Sequence, residues 1–218
     1  MPQTDSTASA VPSSDCAICP RLAAFRHEWR AKEPDWFNAP VPSFGPETAR
    51  LLIVGLAPGL RGANRTGRPF TGDFAGHLLY QTLLDFGFAH GEYAERPDDG
   101  LELIDSRITN GVRCVPPENK PTGAEIVACR RFLAATIADM PRLTAIVALG
   151  RIAHDTVVRA LGRTPSRVPF KHGGQHEIEK RRLFDSYHCS RYNTNTGVLT
   201  PAMFQAVFAQ VRQYLDNA

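Results

Sequence analysis

Residues 51–73 read LLIVGLAPGLRGANRTGRPFTGD. The opening run, Leu51-Leu52-Ile53-Val54, is continuously apolar and reads as a buried strand. Nineteen residues follow, Gly55 to Asp73, holding five glycines, two prolines, three arginines and one buried-looking aromatic, Phe70. A helical pattern then runs from Ala75 to Phe86. Loops this long inside a compact domain are usually functional. This one leaves the carboxyl end of a strand, where open α/β sheets place their sites.

Outward from that stretch, strands and helices alternate. Leu22, Phe25 and Trp29 predict a helix from Pro20 to about Ala31, stopped before Pro34. A second strand lies around Ile104 to Thr109. Thr122 with Glu125 forms a capping-box pattern at the head of a helix whose apolar face carries Ile126, Cys129, Phe132, Leu133 and Ile137. Thr144 to Leu149 is the clearest buried strand, followed by a helix to about Leu161. Residues 162–181 have no strong period and predict a loop or short hairpin. Arg182 to Tyr187 forms a last strand, and Thr200 with Pro201 opens a C-terminal helix. The alternation predicts an α/β fold of three layers, αβα, around a mostly parallel four-stranded sheet. Residues 1–15 are rich in Ser, Thr, Pro and Ala and predict a disordered tail, leaving 16–218 as a single domain.

Composition narrows the function classes. The chain has 218 residues, 43% of them hydrophobic, which suffices for one substantial core. No run of eighteen apolar residues and no secretory signal pattern is present, so the expected compartment is the cytoplasm, or the nucleoid of a prokaryote. A net charge of +3 permits a nucleic-acid partner without demanding one. Five cysteines in such a protein argue against a disulfide framework. Cys16 and Cys19 form C-x2-C, Cys114 and Cys129 form a later pair, and Cys189 stands alone. Four thiolates in two groups suit a tetrahedral zinc or an iron–sulfur cluster, and spacing alone leaves both open.

The long loop contains neither a nucleoside-triphosphate loop nor a regular dinucleotide fingerprint. Its backbone amides and Arg61, Arg65 and Arg68 are candidates for phosphate contact, although a single loop arginine is more often merely solvated. The loop after the last strand groups His188 with Ser190 and Asn193. A histidine at a strand end can donate to a developing anion or act as acid or base.

Three pieces together carry a resemblance. They are GLAPG…GANRTGRPFTGD at 55–73, NGVRCVPPENKPT at 110–122 and YHCSRYNTNTG at 187–197, joined by the C-x2-C at 16 and 19. In this order they resemble the uracil-DNA glycosylases, specifically the iron–sulfur-containing family 5, or type B. The resemblance implies that Cys16, Cys19, Cys114 and Cys129 hold a [4Fe–4S] cluster. It implies that Phe70 stacks on an extruded base, that Asn110 reads the uracil edge, and that Asn119 lies near the base or the reacting sugar. His188 would stabilise the leaving anion. Gly55, Leu56, Ala57, Ser190 and Asn193 complete the substrate-binding set. Arg61, Arg65, Arg68, Arg191 and Tyr192 form the DNA-contacting set. The implied partner is single- or double-stranded DNA carrying a deaminated base, met by a monomer away from any membrane.

Two departures matter. Related families put Asp, Asn or Glu after the first glycine of the loop, where this chain has Leu56. The apolar residue suits family 5, and leaves Asp73 as the carboxylate the resemblance suggests for water activation, alongside an N-cap role at the next helix. In the other departure, both prolines of the related His-Pro-Ser-Pro-Leu wedge are replaced, and Tyr192 stands at the leucine. The expected activity is hydrolysis of the N-glycosidic bond of uracil in DNA, with hypoxanthine or xanthine as further substrates. Leu56 keeps open a nucleic-acid-binding iron–sulfur module without hydrolysis. A zinc protein of nucleotide metabolism is a third reading.

Overall fold

The structure, a computed structural model, describes residues 11–217. In chain order its elements are α1 (Pro20–Lys32), β1 (Leu51–Gly55), α2 (Ala63–Thr66), α3 (Phe74–Asp85), β2 (Ala89–His90), β3 (Glu102–Leu103) and β4 (Ser106–Asn110). They continue with α4 (Gly123–Ala138), β5 (Ala145–Leu149), α5 (Arg151–Ala160), β6 (Gln175–Ile178), β7 (Arg181–Ser186), α6 (Arg191–Asn195) and α7 (Pro201–Asp216). Among these residues no helix is long and apolar enough to cross a membrane.

The main sheet runs β4-β1-β5-β7-β6. The first four strands are mutually parallel and β6 is antiparallel to β7. Every residue of β1 and β5 is buried, as strands covered on both faces must be. Alternation divides them between two cores. Leu51 and Ile53 join α3 and α7 through Leu79, Leu83, Phe204 and Phe208. Leu52 and Val54 join α4 and α5 through Leu133, Ile137, Val157 and Val158. That is the three-layer α/β arrangement expected.

The sheet has five strands rather than four. The segment 162–181, expected as a loop or short hairpin, supplies the fifth strand: β6 forms a hairpin with β7 and is an edge, with Gln175 and Glu177 exposed and only Ile178 buried. The tail expectation also changes. Residues 1–10 lie outside the described residues, but Pro12 is buried and Asp15 pairs with Arg30 of α1. Cys16 N–H donates to the Ser13 carbonyl at 3.0 Å, and Arg30 also donates to the Ser14 carbonyl at 2.8 Å, so Ser14 and Asp15 are held against α1.

The parallel order puts the carboxyl ends of β1, β4 and β7 on one edge. Gly55 and Asn110 are register partners at that edge. The pairing continues past the strands, with Gly111 N–H donating to Gly55 O and Val112 N–H to Leu56 O, each at 2.9 Å. The loops after β1 and β4 therefore leave the sheet side by side.

Candidate active site

These loops and the one after β7 enclose a cleft of about 630 Å³. Of the residues singled out in the sequence, it gathers Leu56, Ala57, Arg61, Phe70, Asp73, Asn110, Asn119, His188, Ser190 and Arg191 on its walls. Phe74, Ala75 and Pro58 add apolar surface.

Two glycine-dependent approaches shape the floor. A Cβ on Gly55 would lie 2.5 Å from Asn110 Oδ1 and 2.7 Å from Phe70 Cζ, so only glycine lets the asparagine and the ring converge. Phe70 has φ +54°, in the left-handed region that residues with a Cβ adopt only under constraint. Its ring faces the His188 imidazole, centroids 5.9 Å apart and planes 29° from parallel. Asn110 is 2% exposed, and its Oδ1 has no hydrogen-bond partner among the described residues. A buried carbonyl oxygen left bare costs about 1–3 kcal/mol.

Asp73 is both cap and cleft residue. Its Oδ1 accepts the Gly76 backbone N–H at 3.1 Å at the start of α3. Its Oδ2 faces the glycines of the loop, where a Cβ on Gly62 would come within 2.6 Å and one on Gly59 within 3.1 Å. Burial raises the Asp73 pKa, and the backbone N–H groups of Gly76 and Ala75 only partly offset it. A carboxylate so placed holds a proton more readily than one in water.

His188 is half-buried on the cleft wall, facing the Phe70 ring. Burial pushes its pKa down to about 4, so it is a neutral imidazole at neutral pH, with one N–H to donate. Ser190 caps α6, accepting the Asn193 N–H at 3.4 Å, and Asn193 Nδ2 donates to the His188 carbonyl at 2.8 Å. Asn193 does not line the cleft; it holds the His188 backbone. The wedge segment after Ser190 is thus a short capped helix, with Tyr192 74% exposed at its head. Arg191 lays its guanidinium over the Phe74 ring at 5.2 Å. Asn119 is exposed, at φ +57° in a short 3₁₀ turn over Pro117–Asn119.

Of the expected DNA-contacting arginines, Arg61 and Arg65 are exposed but Arg68 is not. Its side chain is 4% exposed and forms a two-pronged pair with Asp99, both contacts at 2.7 Å. Arg68 is therefore removed from the phosphate-contacting set. The sequence carries no sign of this burial, because an arginine in a glycine-rich loop is ordinarily solvated and its partner lies thirty-one residues away in an aperiodic segment.

The four paired cysteines meet beneath the cleft. Cys16, Cys19, Cys114 and Cys129 line one small cavity with Leu22, Arg113 and Phe132. Ala57 of the cleft wall packs against the same cluster. Two guanidinium side chains, Arg26 and Arg113, are each 1% exposed. Arg26 donates to Cys114 Sγ at 3.4 Å and to the Cys16 carbonyl at 2.9 Å. Arg113 reaches the hydroxyls of Ser43 and Thr136, while its backbone N–H donates to Cys129 Sγ at 3.3 Å. Among the described residues neither forms an ion pair with a carboxylate; Asp15, whose charge Arg26 feels, is paired with Arg30, and the Nε of Arg26 and of Arg113 is unpaired. Buried cations need a counter-charge. An anionic metal–thiolate group in this cavity would supply it, so the residues fit such a group. Cys189 is elsewhere, buried against the Ala75 carbonyl.

The decisive comparison agrees with this geometry. A family model described as the Uracil DNA glycosylase superfamily matches residues 42–212, a span containing all three loops of the cleft. The chain belongs to that superfamily. A type-5 uracil-DNA glycosylase of Thermus thermophilus is 43% identical over 205 residues, covering 91% of this chain and 93% of the relative. One of Mycobacterium leprae is 43% identical over 212 residues, covering 92% and 91%. A type-4 uracil-DNA glycosylase of Sulfurisphaera tokodaii is 32% identical over 163 residues, covering 71% and 67%. The type-5 relatives match more fully, which places the chain on the type-5 side of the superfamily.

Residues that the sequence did not single out also build the site. Gly59 and Gly62 make room for Asp73, Phe74 supplies a wall, and Arg26 and Arg113 flank the cysteines. Arg26 and Arg113 depend on contacts between distant segments and have no local signature, whereas Gly59, Gly62 and Phe74 lie in or directly beside the glycine-rich loop.

Proposed function

We propose that the chain removes uracil from DNA by hydrolysis of its N-glycosidic bond, after extruding the nucleotide into the cleft. The observation that carries this reading is the bare, buried Asn110 Oδ1 beside the Phe70 ring at the floor of a largely apolar cleft. Uracil offers an N3–H to that oxygen and an O4 to the amide Nδ2. Extrusion costs a few kcal/mol, and stacking on Phe70 returns about 1–3 kcal/mol.

The bond breaks with its electron pair passing to the base. Neutral His188 donates its N–H to the base oxygen where that charge develops, an interaction stronger in the transition state than in the ground state. Asp73 Oδ2 orients a water toward the sugar C1′ and takes its proton as the new C–O bond forms. The products are the free base and an abasic site. Leu56 needs no polar role, because Asp73 supplies the carboxylate from the other end of the loop. Asn119 closes over the base or sugar, and Arg61, Arg65, Arg191 and Tyr192 meet the strand outside. Cys16, Cys19, Cys114 and Cys129 hold a [4Fe–4S] cluster. When bound, it supplies a fixed knot between the N-terminal segment, α4 and the loop carrying Asn119. The protein acts as a cytoplasmic monomer, with residues 16–218 as one domain.

Purified protein incubated with U:G, U:A and hypoxanthine duplexes, followed by alkali, tests the reading. Strand breaks at uracil are expected, and breaks at hypoxanthine extend the substrate range. DNA binding without any break would overturn hydrolysis in favour of a binding module.

A further inference from the structure

Phe70 is held by more than its own loop. Its carbonyl accepts the Tyr93 hydroxyl at 3.1 Å, and the preceding Pro69 carbonyl accepts the Tyr80 hydroxyl at 2.6 Å. Arg68 Nε donates to Thr71 Oγ1 at 2.7 Å on the other side. The three residues on which this support rests are themselves locked. Tyr80 and Tyr93 stack with centroids 4.6 Å apart, and the Arg68 guanidinium lies 5.4 Å and 5.8 Å from their rings. Asp99 grips Arg68 with both oxygens and also accepts the backbone N–H groups of Ala94 and Leu101. Tyr93 and Asp99 both sit on the excursion between β2 and β3, a segment that contributes nothing to the cleft lining.

A glycine makes the central contact possible. A Cβ on Gly76 would lie 1.9 Å from the Phe70 carbonyl oxygen and 2.4 Å from Tyr93 Oη. A left-handed backbone at an aromatic residue persists only where its surroundings over-determine it. Here the over-determination comes from hydrogen bonds to the two carbonyls flanking the strained residue.

We propose that Tyr93 and Asp99 are positioning residues for the reaction: through the Phe70 carbonyl and Arg68 they fix the Phe70 ring in the plane where an extruded base stacks. This rests on the glycosylase reading of the cleft. Neither residue touches the base. The 91–100 segment, outside the cleft, thereby sets how well the platform is pre-organised.

Tyr93→Phe removes only the hydroxyl. In single-turnover excision from a U:G duplex it should slow uracil release roughly five- to tenfold, the loss of one buried hydrogen bond. In a Phe70→Ala background the same substitution should change the rate by less than about twofold, since residues that act through one another are not additive. Asp99→Asn should resemble Tyr93→Phe. Nuclear Overhauser contacts between the Phe70 and His188 rings, read in the free protein, should weaken in both single variants. Wild-type rates in Tyr93→Phe, equal losses in the two backgrounds, or unaltered ring contacts would overturn the positioning role. A wild-type protein that releases no uracil would overturn the glycosylase reading, while the ring contacts would still report whether Tyr93 and Asp99 orient Phe70.

Discussion

Asp73 accepts the Gly76 N–H at 3.1 Å through Oδ1 and turns Oδ2 toward Gly62, so that one carboxylate starts a helix and faces the cleft. The two duties separate by substitution. Asp73→Ser keeps an oxygen that can cap, whereas Asp73→Ala removes it at about 1 kcal/mol of stability. Both lose the carboxylate. Asp73→Ser should therefore melt close to wild type and Asp73→Ala below it, while both release uracil on the order of a hundredfold more slowly or worse. Melting curves and single-turnover rates check this together. A Ser variant that excises normally would reduce Asp73 to a cap.

The pH dependence of the reaction follows from the same wall. Burial raises the Asp73 pKa, so the carboxylate form is lost on acidification earlier than for a carboxylate in water. His188, pushed down to about 4 by burial, is neutral at pH values well above that figure. The rate of base release should fall on an acid limb with a midpoint above the ordinary carboxylate value of about 4. Asp73→Asn should be slow and nearly flat across that limb. An acid limb surviving in the Asn variant would assign it elsewhere.

A separate histidine should govern stability in base. His154 Nδ1 lies 2.6 Å from Asp185 Oδ1 and its Nε2 lies 2.7 Å from the Val168 carbonyl. Both partners are acceptors, so the pair is satisfied when the ring carries both protons. Burial opposes that charge, but the hydrogen bond and charge of Asp185 prevail and the pKa is raised. The stabilisation is then full below the unfolded value of about 6.5 and is lost as pH rises through the higher folded value. Urea unfolding between about pH 6 and pH 9 should show falling stability in wild type and a flatter profile in His154→Asn. Equal slopes would contradict the charged pair.

The cysteine centre has its own test. Protein purified without oxygen should show broad visible absorbance and about four iron atoms per chain. Cys16→Ser and Cys114→Ser should bleach it, and Cys189→Ser should not, because Cys189 is buried against Ala75 away from the quartet. Zinc in place of iron on metal analysis would replace the cluster with a tetrahedral ion.

How much of this was legible beforehand depended on which forces act locally. The apolar runs at 51–54 and 144–149 are buried on both faces, so their composition alone marks them as central strands. The capping box at Thr122 and Glu125 formed as written, as did the Thr200 cap of α7. β6 was legible only as one of two options, a loop or short hairpin, because an exposed edge strand has no apolar face to display. Residues 11–15 looked disordered because their anchors, Arg30 and a buried Pro12, are tertiary. Within the site, the cleft residues were found through their glycine-rich loops and a family resemblance. The places of Arg68, Tyr93 and Asp99 have no signal in the sequence, because burial of a charged or phenolic side chain is decided by distant partners.

The central claim is that the cleft reads uracil through Asn110, and single-turnover uracil release by Asn110→Ala tests it most directly. The rate is measured on a U:G duplex beside wild type, with binding to undamaged duplex as the control. The expected result is a fall on the order of a hundredfold in release, with undamaged-DNA binding retained. Release at the wild-type rate would contradict the account, because Asn110 Oδ1 would then have no base to read.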